Sequence, residues 1–218
     1  MEETKRALRP ELPPPPLRIR KLPVDKRGYP VPYFAFSVNG EPDHRIRDQR
    51  KFVRCVRENR CWICGEPLGK FLAFLIGPMC TINRISAEPP SHRECAEWAV
   101  RGGCPFLSNP KQHRREAGRP EDAWVSEAAI IRNPGVTVLW MTKSYQPIKG
   151  IEEIVFALGD PIKTLWYTEG RLATRAEAEA AIETGCPILL QRAEEEGPHA
   201  VEVLHQMREA MRPLLPAA

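Results

Sequence analysis

The sequence lacks any apolar run that is long enough to cross a membrane as a helix. The longest run, residues 71–79, is about half of the ~20 residues that a spanning helix needs, and Gly77 and Pro78 interrupt it. The first twenty residues mix charges with prolines and contain no apolar core of a secretory signal. We therefore expect a cytoplasmic protein.

The motifs of several large enzyme classes are also missing. The sequence contains no G-x-x-x-x-G-K phosphate loop, no G-x-G-x-x-G dinucleotide fingerprint and no G-x-S-x-G nucleophile elbow. The sequence thus favours no named enzyme class, and we expect a function that depends on binding.

Proline is abundant, and its distribution suggests how the chain is organised. The 218 residues include 23 prolines, four of them consecutive at residues 13–16. We predict a flexible proline-rich arm over residues 1–22 and a folded module with a basic helix over residues 23–110. A charged linker over residues 111–123 precedes an α+β region over residues 124–218. The predicted fold class is therefore α+β.

The charge is distributed unevenly along the chain. Residues 1–120 carry 23 Lys and Arg against 13 Asp and Glu, a net charge of +10, whereas the remaining residues carry a net charge of −6. Residues 46–58 form a basic amphipathic pattern, so Arg and Lys side chains are candidates for contact with nucleic-acid phosphates. The alternative is a solvated helix face. The candidate phosphate contacts are Arg50, Arg54, Arg57, Lys70 and Arg93.

Four of the residues best suited to bind a metal occur as two spaced pairs. Cys61 and Cys64 form a C-x-x-C that Gly65 follows, which is typical of a zinc knuckle. His92 and Cys95 come 28 residues later, where an S-x-x-E capping box predicts that both lie in the first turn of a helix. We expect one structural zinc ion at these four residues. Cys80 and Cys104 are possible substitutes for one ligand.

The segment between the two pairs predicts a β-hairpin. Residues 70–76 are typical of a strand, Gly77 and Pro78 of a turn, and residues 79–85 of a possible return strand. Knuckle, hairpin and ligand-bearing helix together resemble the treble-clef class of zinc-binding modules. The resemblance covers Cys61 to about Arg101 and implies a zinc-stabilised module whose activity the class itself does not fix.

Two further stretches are similar to uncharacterised proteins of bacteria and their phages. These are IGPMCTINRISAEPPSHRECAEWAV and LWYTEGRLATRAEAEAAIETG. The similarity implies a protein of phage or mobile-element type, which would act in the cytoplasm of the bacterial host. It brings no activity with it.

The treble-clef resemblance also raises an alternative function, that of an HNH-like nuclease. Such an enzyme needs a histidine between the knuckle and the helix, but residues 65–91 contain neither histidine nor aspartate, and His44 lies before the knuckle. A site of three cysteines and one histidine has no open position for a water molecule. We therefore expect a non-catalytic binding or accessory protein whose partner is nucleic acid or a protein complex, with neither membrane nor small-molecule substrate indicated.

The C-terminal region predicts a short β-sheet followed by three helices. Residues 136–148 and 162–168 are typical of strands, Thr174 and Glu177 form a capping box, and further helices start near Pro187 and Pro198. The strand end and turn before the first helix are a candidate protein contact, with structural packing and a turn ion pair as the alternative. The candidate contact residues are Trp166, Tyr167, Glu169 and Arg171.

Overall fold

The computed structural model describes residues 6–107, 134–150 and 154–217, and the linker predicted over residues 111–123 lies outside them. The strands in this part of the chain are β1 (Ala35–Val38), β2 (Glu41–Arg47), β3 (Leu72–Ile76), β4 (Ile85–Ser86), β5 (Thr137–Thr142), β6 (Tyr145–Lys149), β7 (Ile154–Leu158), β8 (Lys163–Thr168) and β9 (Arg171–Leu172). The helices are α1 (Leu17–Arg20), α2 (Gln49–Glu58), α3 (Pro78–Asn83), α4 (Arg93–Trp98), α5 (Arg175–Glu183), α6 (Cys186–Glu196) and α7 (Pro198–Met211). The fold is mixed α and β, in agreement with the α+β class. Among the helices described, none has the length and apolar character needed to span a membrane.

An N-terminal hairpin and the basic helix follow the sequence pattern closely. β1 and β2 pair in antiparallel fashion, and Asn39 and Gly40 form the turn with φ of 51° and 82°. Helix α2 begins after Asp48, whose carboxylate accepts hydrogen bonds from the backbone N–H groups of Arg50 and Lys51 at 2.9 and 3.2 Å. The helix starts later than the apolar pattern suggests, because Ile46 belongs to β2.

The central sheet joins the two regions that the sequence separates. Its strand order is β3-β5-β8-β9, and all of its pairs are antiparallel. β3 comes from the region predicted as a zinc module, and β5 from the C-terminal region, with Phe74 opposite Trp140. A second, smaller sheet has the order β4-β7-β6 and likewise draws on both regions. Two of the three sheets described therefore contain strands from both halves of the chain.

The return strand predicted over residues 79–85 is wrong, because most of this segment forms helix α3. Gly77 precedes the helix and Pro78 occupies its first turn, where the missing N–H of proline costs nothing. Met79 and Ile82 are buried in the main core. Because this segment is helical, β3 pairs with β5 instead of forming a hairpin with its immediate successor.

The central sheet separates two apolar clusters. Phe74 and Trp140 face the larger cluster, which includes Leu204 of α7 and other residues of the C-terminal helices. Ala73 and Leu139, their neighbours along the same strands, belong to the smaller cluster that contains the sulfur ligands. Because side chains alternate between the two faces of a strand, consecutive residues of β3 and β5 pack into different apolar clusters.

The three C-terminal helices agree with the sequence prediction. Thr174 caps α5, its hydroxyl accepting a hydrogen bond from the Glu177 N–H at 3.3 Å, while the Glu177 carboxylate accepts one from the Thr174 N–H at 2.8 Å. The strand predicted over residues 136–148 is divided into β5 and β6. β7, which pairs with both β6 and β4, has no counterpart in the sequence prediction.

Candidate metal centre

The first ligand pair lies in a tight turn that the backbone closes on both sides. The Cys61 N–H donates to the Glu66 carbonyl at 2.8 Å, and the Gly65 N–H donates to the Cys61 carbonyl at 2.8 Å. Gly65 has φ of +75°, and a Cβ atom there would lie 2.6 Å from the ring of Tyr33. The turn therefore needs a glycine for two reasons: the backbone is left-handed there, and the Tyr33 ring leaves no room for a Cβ atom.

The second ligand pair lies at the start of α4. His92 is the N-cap residue and Cys95 lies in the first turn. The predicted Ser91 cap is wrong, because the backbone of Ser91 exchanges two hydrogen bonds with Ala73 of β3, at 2.8 and 2.9 Å. This pairing holds Ser91 in extended conformation, so the helix begins one residue further on and β3 fixes the position of its N-terminus.

The four side chains meet at one point. The Sγ atoms of the three cysteines and a ring nitrogen of His92 all lie within 4.8 Å of one another. His92 Nδ1 is 3.4 Å from Cys64 Sγ and 4.0 Å from Cys95 Sγ. A tetrahedral zinc ion with Zn–S bonds of about 2.3 Å and a Zn–N bond of about 2.0 Å separates its nitrogen ligand from each sulfur ligand by roughly 3.5 Å. The residues therefore fit a tetrahedral metal ion with three sulfur ligands and one nitrogen ligand.

Backbone groups around the cluster orient the ligands. His92 Nε2 lies 3.0 Å from the Pro67 carbonyl, so an Nε2–H would donate there and leave Nδ1 free to bind a metal. The backbone N–H groups of Cys64 and His92 point at Cys61 Sγ from 3.4 and 3.3 Å, which favours negative charge on that sulfur. No sequence signal marks the Pro67 carbonyl, because every residue carries such a group.

The electrostatics of the cluster favour a cation at its centre. Hydrogen bonds to the sulfurs of Cys61 and Cys64 raise the pKa of His92 to about 10. Burial by itself would raise the pKa of Cys61, but hydrogen bonds from Cys64, Cys95 and His92 lower it below its ordinary value. The sulfurs of Cys61 and Cys64 in turn raise the pKa of Cys95. The cluster thus resists carrying several negative charges unless a positive charge compensates them, as a divalent ion would.

The three cysteines of the cluster are buried, His92 is partly buried, and the substitute ligands lie elsewhere. Cys61 and Cys95 are fully buried at 0% exposure. Cys80 lies in α3, where burial raises the pKa of its thiol, and Cys104 follows the irregular turn after α4. Among the described residues, the set of Cys61, Cys64, His92 and Cys95 is the one group of histidine, cysteine or acidic side chains with a metal-binding arrangement.

The described part of the proline-rich segment packs against this centre. Ile19 is 1% exposed within the smaller cluster, and the Trp98 indole N–H donates to the Pro13 carbonyl at 2.9 Å. Arg18 forms ion pairs with Glu94 of α4 and with Glu66 of the knuckle. Residues 6–22 therefore contact both elements that supply ligands, a role that composition alone did not indicate.

The candidate phosphate contacts lie on two helices and one loop. Arg50, Arg54 and Arg57 are exposed on α2 at spacings of four and three residues, which places them on the same side of that helix. Arg54 pairs with Glu58 at 3.1 Å. The other two candidates are Arg93, which pairs with Glu97 at 3.6 Å, and the exposed Lys70.

The candidate protein contacts divide into two interior and two surface residues. Trp166 and Tyr167 are 2% and 4% exposed, so their side chains belong to the two cores. Glu169 and Arg171 lie at the turn between β8 and β9. Arg171 forms two hydrogen bonds with Glu177 at 2.6 and 2.9 Å, and this pairing lowers the pKa of Glu177 to about 2.

The histidine considered for nuclease chemistry is buried away from solvent. His44 lies on β2 with 5% exposure, and burial lowers its pKa to about 4. Its Nε2 atom is 3.4 Å from a carboxylate oxygen of Asp25. His44 is not among the residues of the metal cluster, so this geometry does not favour the nuclease alternative.

Comparison with known proteins finds no match among protein-family models, curated protein sequences or solved structures. The functional argument therefore depends on the chemistry of the site itself.

Proposed function

We propose that this protein is a zinc-stabilised, non-catalytic binding protein. The observation that supports this most directly is the cluster of Cys61, Cys64, His92 and Cys95, whose three cysteines are buried. Three thiolates and one imidazole suit zinc in preference to hard cations, and a set of four protein ligands is typical of structural zinc sites. When bound, the zinc would supply stability in place of Lewis-acid chemistry.

We also propose that the module is of treble-clef type. The knuckle, the following strand and the ligand-bearing helix support this interpretation, although β3 pairs with β5 instead of a return strand. An origin in a phage or mobile element stays a prediction. So does cytoplasmic location.

Metal analysis of the purified protein tests the zinc proposal. We expect about one zinc per chain by mass spectrometry, and Cys95→Ser should lose both the metal and a large part of the thermal stability. Cys186→Ser is the matched control, because Cys186 is a buried cysteine that does not belong to the cluster. Metal-free protein that is fully folded and equally stable would contradict the proposal.

The partner we propose is nucleic acid or a protein, and the salt dependence of binding distinguishes the two. If nucleic acid binds α2, replacing Arg50, Arg54 and Arg57 by Ala should weaken binding to labelled DNA or RNA. It should also flatten the slope of log K against log salt by about 0.9 for each lost contact to B-DNA.

A control variant separates this local contact from the loss of net charge. Replacing Arg192, Arg208 and Arg212 by Ala removes the same charge from the C-terminal region and should leave the slope unchanged. Absence of any binding at low salt would favour a protein partner. Magnesium-dependent cleavage of plasmid DNA that His44→Ala abolishes would contradict the non-catalytic assignment.

A further inference from the structure

The proline-rich segment packs around the candidate metal centre, and its central part is called here the strap (residues 12–22). The strap contains the single-turn helix α1, whose Ile19 is 1% exposed. Ile19 belongs to the apolar cluster that also contains the three sulfur ligands. Leu12 and Leu22, at the two ends of the strap, pack against the same cluster. The apolar side chains of the strap therefore form part of the surroundings of the ligand sulfurs.

Arg18 of the strap connects the two elements that supply the ligands. Its Nε donates to a carboxylate oxygen of Glu94 at 2.8 Å, and its Nη1 pairs with the carboxylate of Glu66. Glu94 lies in the first turn of α4, whereas Glu66 lies in the knuckle turn, where its carbonyl accepts from the Cys61 N–H at 2.8 Å. Lys21 also pairs with Glu66, at 2.7 Å. One guanidinium therefore bridges the turn that supplies the first ligand pair and the helix that supplies the second.

The strap is also attached at the other end of α4. The indole N–H of Trp98, the last residue of that helix, donates to the Pro13 carbonyl at 2.9 Å. Pro13 lies beside Gly102 as well, since a Cβ atom added to this glycine would be 3.7 Å from Pro13 Cδ. Within the strap, Arg20 Nε donates to the Pro15 carbonyl at 2.8 Å and so connects α1 to the proline run. The strap therefore contacts α4 near both of its ends.

The contacts of the strap are of a kind that opens without unfolding of the whole protein. The Arg18 side chain is 37% exposed, and those of Glu66 and Glu94 are 28% and 53% exposed. Ion pairs with this exposure are individually weak and are screened by salt. A single turn such as α1 is far shorter than the roughly 12 to 15 residues that an isolated helix needs for stability. Segments attached in this way detach at a lower free energy than the core unfolds.

We propose that the strap regulates how fast the bound metal exchanges with its surroundings, an inference that rests on the zinc-stabilised function proposed above. When the strap is in place, Arg18 keeps the knuckle turn and α4 together, and Ile19 fills the apolar surroundings of the sulfurs. A competing ligand then has poor access to the cysteines, and the two ligand pairs stay together. When the strap is displaced, both constraints are lost and the metal leaves faster, while the central sheet and the C-terminal helices stay folded.

Metal release from the zinc-loaded, full-length protein tests this proposal. The rate of release to excess 4-(2-pyridylazo)resorcinol is followed by absorbance at low salt. Arg18→Ala should accelerate release about threefold to tenfold, the value of two partly exposed ion pairs. Arg50→Ala is the control, because it removes the same charge from α2, where the Arg50 side chain is 90% exposed. It should leave the release rate unchanged.

Salt and urea distinguish displacement of the strap from a general loss of stability. Raising the salt concentration to about 1 M screens the ion pairs, so it should accelerate release from the unaltered protein more than from Arg18→Ala. Low concentrations of urea should accelerate release only slightly, because displacement of the strap exposes little surface and the urea dependence scales with the surface exposed. Circular dichroism of the same samples gives the steeper urea dependence of global unfolding for comparison.

Three outcomes would overturn the proposal. These are equal release rates in Arg18→Ala and the unaltered protein, equal acceleration in Arg50→Ala, and a urea dependence of release as steep as that of global unfolding. The salt and urea dependences of the unaltered protein decide the question even if Arg18→Ala fails to fold.

Metal content measured before the release experiments separates this proposal from the zinc proposal. A chain that binds no zinc contradicts both proposals together. A zinc-loaded protein whose release rate does not respond to Arg18→Ala contradicts the role of the strap alone.

Discussion

Replacing Leu204 by alanine tests whether the two halves of the chain unfold as one unit. Leu204 is 8% exposed and belongs to the same apolar cluster as Phe52 and Trp62, which come from the first half. If this shared core determines the stability of both halves, a destabilising substitution in helix α7 must also destabilise the turn that holds Cys61 and Cys64.

The expected magnitude follows from the atoms removed. Leu→Ala deletes three carbons, worth roughly 2.4 kcal/mol at about 0.8 kcal/mol each, and the remaining cavity raises the cost to about 2 to 5 kcal/mol. With an m value of about 2 kcal/mol/M in urea, the midpoint of unfolding should fall by about 1 to 2.5 M. His205→Ala is the matched control, since His205 is exposed on the same helix and should change stability by less than about 0.5 kcal/mol.

Two probes followed in the same urea titration give the decisive comparison. Far-ultraviolet circular dichroism reports the helices, and release of metal to a coloured chelator reports the knuckle. We expect both midpoints to fall together in Leu204→Ala. A variant that loses helical signal early but releases metal at the unaltered urea concentration would refute the shared core and restore two independent units.

Three further predictions concern local features. Thr174→Ala should cost about 1 kcal/mol in urea unfolding through the lost cap, and Thr174→Ser should restore most of it. Gly65→Ala should lower the free energy of unfolding by about 1 to 3 kcal/mol and weaken metal retention, because φ is +75° and the new Cβ would contact Tyr33. Gly69→Ala is the control, and it should have neither effect because the space around Gly69 is open. The pKa of Glu177 in the folded protein is about 2, so its charge stabilises the fold fully above the unfolded-state pKa of about 4. This stabilisation is lost as the pH falls through about 2. On acidification, the unaltered protein should therefore lose more stability than Glu177→Gln.

The elements that the sequence predicts well are those encoded by neighbouring residues. The capping box at Thr174 and the two ligand pairs depend on spacings of a few residues. Their geometry is dictated by local turn and helix stereochemistry, which short sequence motifs specify directly.

The elements that the sequence does not predict depend on distant partners. Residues 79–85 contain apolar and β-branched side chains that favour a strand, but α3 forms because Met79 and Ile82 pack in the shared core. Ser91 is a good N-cap residue, yet β3 engages its backbone. The pairing of Phe74 with Trp140 spans more than sixty residues of chain, and no local pattern encodes it.

Side chains of β3 and β5 alternate between the two faces of the central sheet, and the ligand sulfurs lie on one of these faces. The candidate metal centre therefore bears on the register in which the two strands pair. A slip of β5 by one residue would carry Trp140 from the helical side to the side of Cys61 and Cys95, where Leu139 now packs. Leu139 is 0% exposed in that cluster, and an indole is larger than a leucine side chain, so the misaligned pairing would overpack the surroundings of the ligand sulfurs. Zinc binding would then favour the native register of β5 during folding. Light scattering during refolding should therefore report more aggregation in the presence of a chelator than in the presence of zinc.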